Sequence, residues 1–358
     1  MGEKLMKAAL DNGQGDYLVQ KIPFPKKFEN SALIKVVQSG ICGSDIHLTT
    51  ERNESQILPS GHEVAGEIIE IGNNNKNLVP GDRVAVEMIG AGRACLNCIY
   101  CKNGQMRHCT DRIEDTGGGF GEYITRLPSG LFKLPDSLDW TNGALVEPMA
   151  VSVHALRYSQ MQKGDIVGVV GSSTIGLSSI VVAKAFGAKK VIASARYPQQ
   201  IEAAKKMGAD VVVSSKSGEF EDACFDASGG IGADIVVESI GGHQSETFHQ
   251  SIRATKSQGK MVYLGGMKIP MELDLMDASL REIRIESVMC YSESNGIHDY
   301  EIAIDLLDSN RFPYKDIVTH RFDLEDIVTH RFDLEDIQKG FDIASDKKSG
   351  SIKVHITM

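Results

Sequence analysis

Two kinds of hydrophobic pattern follow one another along the chain. From residue 7 to 40, short apolar runs (Ala8 to Leu10, Ala32 to Val37) are broken by Gly and Pro, the mark of irregular β structure. G-E-I-I-E-I-G at 66–72 and G-D-R-V-A-V-E at 81–87 read as further strands around a polar turn at Asn73 to Asn77. G-G-G-F-G-E-Y-I at 117–124 reads as a strand entered from a flexible turn, and L-P-D-S-L-D-W leads into a helix carrying Ala144 to Glu147. His154, at helical spacing among apolar residues, is expected to be a packing histidine.

The pattern changes at Lys163. I-V-G-V-V-G, K-K-V-I-A-S-A, V-V-V-S, D-I-V-V-E-S and K-M-V-Y-L-G-G are continuous apolar runs, and the first three are separated by helical stretches such as Q-Q-I-E-A-A-K-K-M-G-A. Uninterrupted apolar strands alternating with helices predict a parallel sheet covered on both faces, and hence a doubly wound, dinucleotide-binding α/β domain. The D-A-S-G-G-I-G-A lead-in to D-I-V-V-E and the G-G after Leu264 are read as loops at the carboxyl ends of strands. R-E-I-R-I-E-S-V-M-C is read as running out of the sheet, after which helix and strand return and end at K-V-H-I-T-M.

With 358 residues the chain suits two domains rather than one core, and 42% hydrophobic with 24% charged residues excludes a disordered or fibrous chain. The formal charge of −10 argues against nucleic acid or an anionic membrane as partner. No apolar run reaches the length of a membrane span, and M-G-E-K-L-M-K lacks the apolar core of a signal peptide, so a cytoplasmic protein is expected. Seven cysteines are then expected to be ligands or free thiols rather than disulfides.

Four of them, Cys95, Cys98, Cys101 and Cys109, are spaced C-x₂-C-x₂-C-x₇-C. Four converging thiolates fit a closed tetrahedral zinc site of structural type, with an iron–sulfur cluster or a disulfide pair as the alternatives. Cys224 and Cys290 stand alone and are read as ordinary buried thiols.

A second set of ligand types lies between Gly40 and Gly66, in G-I-C-G-S-D-I-H and G-H-E-V-A-G. Cys42, His62 and Glu63 are the thiolate, imidazole and carboxylate that borderline Zn²⁺ accepts, and Glu147 in L-V-E-P-M-A is the candidate for one further ligand. Ser44 and His47 offer a hydroxyl and an imidazole able to pass a proton towards water. Asp45 is placed to orient a metal-bound imidazole.

C-G-S-D-I-H followed by G-H-E-x-x-G resembles the zinc-dependent medium-chain alcohol and polyol dehydrogenases, and the carboxylates of G-H-E and of the later E-P resemble most the sorbitol, threonine and sugar dehydrogenase branch. The resemblance covers essentially the whole chain. It implies a β-rich, barrel-like (GroES-like) catalytic domain of residues 1–148 and 292–358, whose tail folds back onto it, around a doubly wound Rossmann coenzyme domain of 149–291. It implies two Zn²⁺ per chain, catalytic and structural, with Cys42, His62 and Glu63 or Glu147 sharing the catalytic one. The activity it implies is hydride transfer between a nicotinamide coenzyme and a secondary alcohol, polyol or sugar-like substrate, or the matching ketone. A homodimer or homotetramer is expected, without nucleic-acid or membrane partners. Two other readings stand beside it: a zinc-ribbon interaction protein, which would present a basic face and need no Cys42–His62–Glu63 set, and an enone reductase on the same plan, which would lack both metal sites.

The glycine fingerprint G-x-G-x-x-G appears as Gly171-Ser172-Ser173-Thr174-Ile175-Gly176, with Ser173 in place of the middle glycine and able to offer its hydroxyl to phosphate. The second strand ends Ser194-Ala195-Arg196-Tyr197 with no acid to bind the adenosine ribose. Arg196 can pair with a 2′-phosphate, Ser194 add a hydroxyl and Tyr197 a ring beside adenine, so NADP(H) is expected to be preferred, with NAD(H) possible.

One feature is foreign to the family pattern. D-I-V-T-H-R-F-D-L-E occurs at 316–325 and again at 326–335. Ten residues in two copies do not make a solenoid, so one copy is expected to take the native passage and the other to form an excursion, which makes His320 and His330 poor ligand candidates.

Overall fold

The computed structural model describes residues 4–13, 16–46, 57–74, 76–216, 218–266, 270, 272–273, 275–323 and 335–358. His47 and His330 lie outside the described residues. The chain forms two compact units: Met1–Glu147 with Ser292–Asp308 and Val318–Met358, and Pro148–Tyr291 with Ser309–Ile317.

The first unit begins with an antiparallel pair, β1 (Leu5–Asp11) and β2 (Tyr17–Pro23). β3 (Ala32–Gly40), β4 (Glu63–Ile71), β5 (Arg83–Glu87), β6 (Tyr123–Arg126) and β7 (Leu131–Lys133) follow. The six parallel strands of the second unit are β8 (Ile166–Val170), β9 (Lys190–Ala195), β10 (Val211–Ser214), β11 (Ala233–Glu238), β12 (Thr255–Tyr263) and β13 (Arg284–Ser287). The chain then adds a short hairpin, β14 (Glu293–Ser294) and β15 (Ile297–His298), and two strands, β16 (Val318–Asp323) and β17 (Lys353–Thr357), to the first unit.

In the larger sheet of the first unit the order is β16-β17-β3-β4-β5-β7, with β6 also on β3. Its interior is built from alternating apolar positions: Ile34, Val36, Val64, Ile68, Val84, Val86 and Ile124 form one buried cluster. The long β3 thereby receives the C-terminal strand on one side and β4 on the other, so that Gly40 lies opposite both Glu63 and His355.

The sheet of the second unit has the order β10-β9-β8-β11-β12-β13, the arrangement of a doubly wound dinucleotide domain. All five residues of I-V-G-V-V in β8 are buried, as a strand covered on both faces requires. R-I-E-S at 284–287 belongs to this sheet as its edge strand, contrary to the expectation that 281–300 runs out of it. An edge strand of four residues, three of them exposed, carries too little apolar alternation to be read from sequence. The G-G-I-G stretch at 229–232 precedes β11 and so lies at its amino end; the loop at its carboxyl end is Ser239–Gly242. The G-G after Leu264 does follow β12 at the carboxyl end.

Candidate functional site

The turn after β3 brings Cys42 to the start of a helical segment at 43–46. Asp45 N–H donates to Cys42 O (3.1 Å), and Asp45 Oδ2 accepts from Cys42 N–H (3.0 Å), closing the turn on itself. His62 and Glu63 come from the entry to β4. That entry is clasped by the glycine run: Gly118 N–H donates to Pro59 O (2.6 Å), Gly119 N–H to Gly61 O (2.8 Å) and Phe120 N–H to Ser60 O (2.9 Å). Gly61 has φ +93°, and a Cβ there would press on the Phe120 ring at 3.0 Å. Behind it Tyr17 stacks on Phe341 (4.0 Å) and meets Phe120 edge-on (5.8 Å), while its hydroxyl holds Ser60 Oγ at 2.9 Å. The expected flexible turn is therefore a packed bracket that fixes His62.

Cys42, His62 and Glu63 each bring one ligand atom within 4.8 Å of the others. Asp45 Oδ1 faces His62 Nδ1 at 3.7 Å, which leaves Nε2 as the other ring nitrogen for a metal. Asp45 and Glu63 are buried and His62 is one-fifth exposed. Glu63 has a partner in Lys353 of β17, also buried: Nζ lies in ion-pair contact with Oε2, without hydrogen-bond geometry, and donates to Ile41 O (2.9 Å). Gly40 is required in this row, since a Cβ there would overlap the Glu63 carboxylate. Glu147 is buried on the helix Trp140–Tyr158 and stands outside the 4.8 Å group, but interacts electrostatically with His62, Glu63 and Lys353.

Burial opposes charge on His62, yet Asp45 and Cys42 outweigh it and hold the imidazole well above the ordinary histidine range. Burial pushes Glu147 up to about 7, with His62 pulling it down and Glu63 pushing it further up. A thiol and three carboxylates thus surround one imidazole, with Lys353 balancing Glu63, and the donor set of Cys42, His62 and Glu63 fits a divalent ion of zinc type. Ser44 is exposed beside it.

The Sγ atoms of Cys95 and Cys109 and of Cys98 and Cys101 are each 3.5 Å apart, and those of Cys95 and Cys101 are 4.0 Å apart. All four thiols are free, and a tetrahedral site with Zn–S bonds of about 2.3 Å places its sulfurs about 3.8 Å apart. Backbone amides of Asn97 (3.5 Å) and Cys98 (3.3 Å) donate to Cys95 Sγ. The Cys101 and Thr110 amides bring the Cys98 thiol down to about 6, while burial and the neighbouring thiols push Cys101 up to about 12. A cation held by all four would draw every one of them to the thiolate. The lobe is anchored at Glu87, whose buried carboxylate accepts from Gly90 N–H (2.5 Å) and Ala91 N–H and is pushed up to about 7 by burial.

In the second unit the turn Gly171–Gly176 joins β8 to the helix Thr174–Ala185. Gly171 has φ +94°, and a Cβ on Gly176 would overlap Gly171 O. Ser173 is the residue before the helix and makes no cap hydrogen bond with its side chain; Thr174 and Ile175 are half-buried beside it. At the end of β9, Ser194 is buried, and its Oγ accepts from Gly171 N–H (3.1 Å), so it braces the turn from beneath. Arg196 is exposed, with its guanidinium 5.6 Å from the centre of the half-buried Tyr197 ring.

Two family models match the chain, one described as an alcohol dehydrogenase GroES-like domain over residues 29–136 and one as a zinc-binding dehydrogenase over residues 174–309. Sorbitol dehydrogenase of Bacillus subtilis (strain 168) is 30% identical over 326 residues, covering 88% of this chain and 89% of that protein. The chain belongs to the zinc-dependent medium-chain dehydrogenases. An Escherichia coli oxidoreductase/dehydrogenase of unknown specificity matches this medium-chain dehydrogenase with a TM-score of 0.86 at 28% identity, covering 99% of each chain. A protein of Sinorhizobium meliloti 1021 described as a zinc-binding dehydrogenase bound to NADP matches it with a TM-score of 0.79 at 25% identity, covering 99% of this chain and 100% of that one.

The dehydrogenase is an oxidoreductase acting on CH–OH groups with a nicotinamide coenzyme. Among its described residues no helix is long and apolar enough to cross a membrane. Sequence reasoning missed Lys353, whose signal was a lysine at an inward position of the K-V-H-I-T strand. It also missed Arg126, whose buried guanidinium donates to Gly117 O (2.7 Å) and meets Asp115 (3.2 Å), holding the glycine run that clasps His62. Cys224 is buried, but Cys290 is half-buried with φ +61°, because it lies in the exposed bend after the edge strand β13 rather than in a core. His154 is half-buried, its ring 5.9 Å from that of Tyr158.

Proposed function

We propose that this dehydrogenase oxidises a secondary hydroxyl of a polyol or sugar-like substrate, and reduces the matching ketone, with NADP(H) as preferred coenzyme and two zinc ions per chain. The observation that carries the reading is the convergence of Cys42, His62 and Glu63 beside the buried Glu147. Zinc held there supplies a Lewis acid that makes a bound hydroxyl acidic near neutral pH. Asp45 keeps the His62 ring in one orientation, and Lys353 offsets the charge of Glu63 on Oε2 while Oε1 remains available. Ser44, exposed at the turn, would take the hydroxyl proton towards solvent, with His47, three residues on in the sequence, as the next carrier. Cys95, Cys98, Cys101 and Cys109 hold the second ion and keep their lobe folded.

The coenzyme preference rests on Arg196: it is exposed directly after β9, a strand that carries no acid to repel a 2′-phosphate. The test is a screen of polyols and 2-ketones by coenzyme absorbance, with kcat/KM for both coenzymes. NADP(H) is expected to lead by about tenfold or more, and Arg196→Ala to remove most of that lead, the size of one charge-assisted pair. A parent that favours NAD(H), or turnover that survives Cys42→Ser, would contradict the reading.

Assembly as a homodimer is supported by the sheet edge. Among the described residues β13 leaves its outer side unpaired, and Ile285 is 38% exposed between Arg284 and Glu286. Antiparallel pairing with a second copy about Ile285 sets each arginine opposite a glutamate. Ile285→Lys is expected to yield monomers in sedimentation velocity; an unchanged oligomer would place the interface elsewhere.

A further inference from the structure

β11 ends in Glu238, a carboxylate with no exposure at all. Its Oε1 accepts three hydrogen bonds: from Ile240 N–H (2.9 Å), Gly241 N–H (3.0 Å) and Thr247 Oγ1–H (2.8 Å). Its Oε2 has no hydrogen-bond partner among the described residues. Through its backbone oxygen the same residue accepts from Leu264 N–H (3.0 Å) and Gly265 N–H (3.1 Å) of the loop after β12. Leaving the carboxylate of a fully buried residue half-satisfied is costly, so what Oε1 holds must repay it.

It holds the loops at the carboxyl ends of three neighbouring strands. Ser239 donates to Val170 O from both N–H (3.1 Å) and Oγ (2.8 Å), tying the loop after β11 to the glycine turn after β8. Gly242 N–H donates to Gly266 O (3.1 Å), tying the same loop to the one after β12. The backbones meet so closely that a Cβ on Gly241 would overlap Gly265 O, and one on Gly171 would come within 2.5 Å of the Ile240 side chain. Gln244 closes the far side, donating from Nε2 to Gly241 O and to Thr247 Oγ1 (each 2.8 Å).

We propose that Glu238 is a positioning residue for the coenzyme: its buried carboxylate clamps Ile240 and Gly241 so that the loops after β8, β11 and β12 present one preformed surface to the dinucleotide. The inference rests on reading Gly171–Gly176 as the coenzyme turn. Ordering these loops before binding removes a cost that the coenzyme would otherwise bear.

Because among the described residues Oε1 carries all three bonds and Oε2 none, glutamine and methionine at 238 separate the possibilities. Each variant is assayed as full-length protein for the Kd of reduced coenzyme, by nucleotide fluorescence, and for its melting temperature. Glu238→Gln keeps an acceptor and is expected to bind within about threefold of the parent, while Glu238→Met leaves both amides unpaired and is expected to bind at least about tenfold more weakly well below its melting temperature. Gly241→Ala, which drives the loops apart with the carboxylate intact, is expected to show the same loss, and it stands in should Glu238→Met fail to fold. A Glu238→Met or Gly241→Ala protein that melts lower but keeps the parent Kd would overturn the proposal by showing a purely structural role. Equal losses in the glutamine and methionine variants would overturn it too, since the acceptor would not be what matters. A parent that binds neither coenzyme would remove the coenzyme reading, and the clamp with it.

Discussion

Lys353 lies against Glu63 with both side chains out of solvent, so the charge of one is tolerable only beside the other. Lys353→Met is therefore expected to cost about 3–5 kcal/mol in metal-free protein, the range for breaking a buried pair. The measurement is the urea midpoint at constant slope. Because the lost positive charge also stood next to the ligand group, metal-loaded variant should recover part of the loss, an occupied site supplying the counter-charge instead. A variant within about 1 kcal/mol of the parent without metal would mean that Glu63 is neutral or solvated there.

At the scale of elements, the duplicated decapeptide poses a question of register. The first copy supplies β16, which lies parallel to β17, with Thr319 Oγ1 donating to Lys353 O (3.1 Å) and accepting from Ile352 N–H (3.2 Å). The second copy runs from 326 to 335 and falls almost entirely outside the described residues. Since the copies are identical, deleting 316–325 or 326–335 gives the same shorter chain, in which V-T-H-R-F-D is followed, after one leucine, by the sequence E-D-I-Q-K-G-F of the helix that supplies Phe341. That chain is expected to fold, to keep its activity and to melt no lower than the parent, because shortening a loop by ten residues releases closure entropy of well under about 1 kcal/mol. Failure of the shortened protein to fold would make the repeat part of the architecture.

For the whole molecule, the two candidate metal sites should differ in lability. The four-cysteine set offers four ligands, enough to close a tetrahedral site, whereas the Cys42 set offers three, which would leave a position open. A chelator titration is expected to remove one equivalent of zinc quickly, with loss of turnover and an unchanged circular dichroism spectrum, and a second equivalent slowly, with unfolding. Cys98→Ser should lower soluble yield while Cys42→Ser leaves the fold intact. Simultaneous loss of both ions would mean that the sites are not functionally separate.

Local order along the chain determined much of this. The close spacing of the four cysteines, the apolar strands from β8 to β12 and the glycine turn at 171–176 are each specified within a few residues, because the thiol, the buried strand and the positive φ act at short range. Tertiary structure decided what depends on chain segments far apart. Lys353 reaches Glu63 only because β17 pairs with β3, and neither residue alone signals the other. Ser194, read as a hydroxyl for phosphate, is turned inward by Gly171 N–H across the parallel strands β8 and β9. R-I-E-S becomes a strand only because β12 offers it an edge. The sequence alone thus specified which chemistry is available, since ligand type and local backbone freedom are properties of single residues and their neighbours. Which buried charge is balanced, and by what, was decided by packing, because the cost of burying a charge depends on everything that surrounds it.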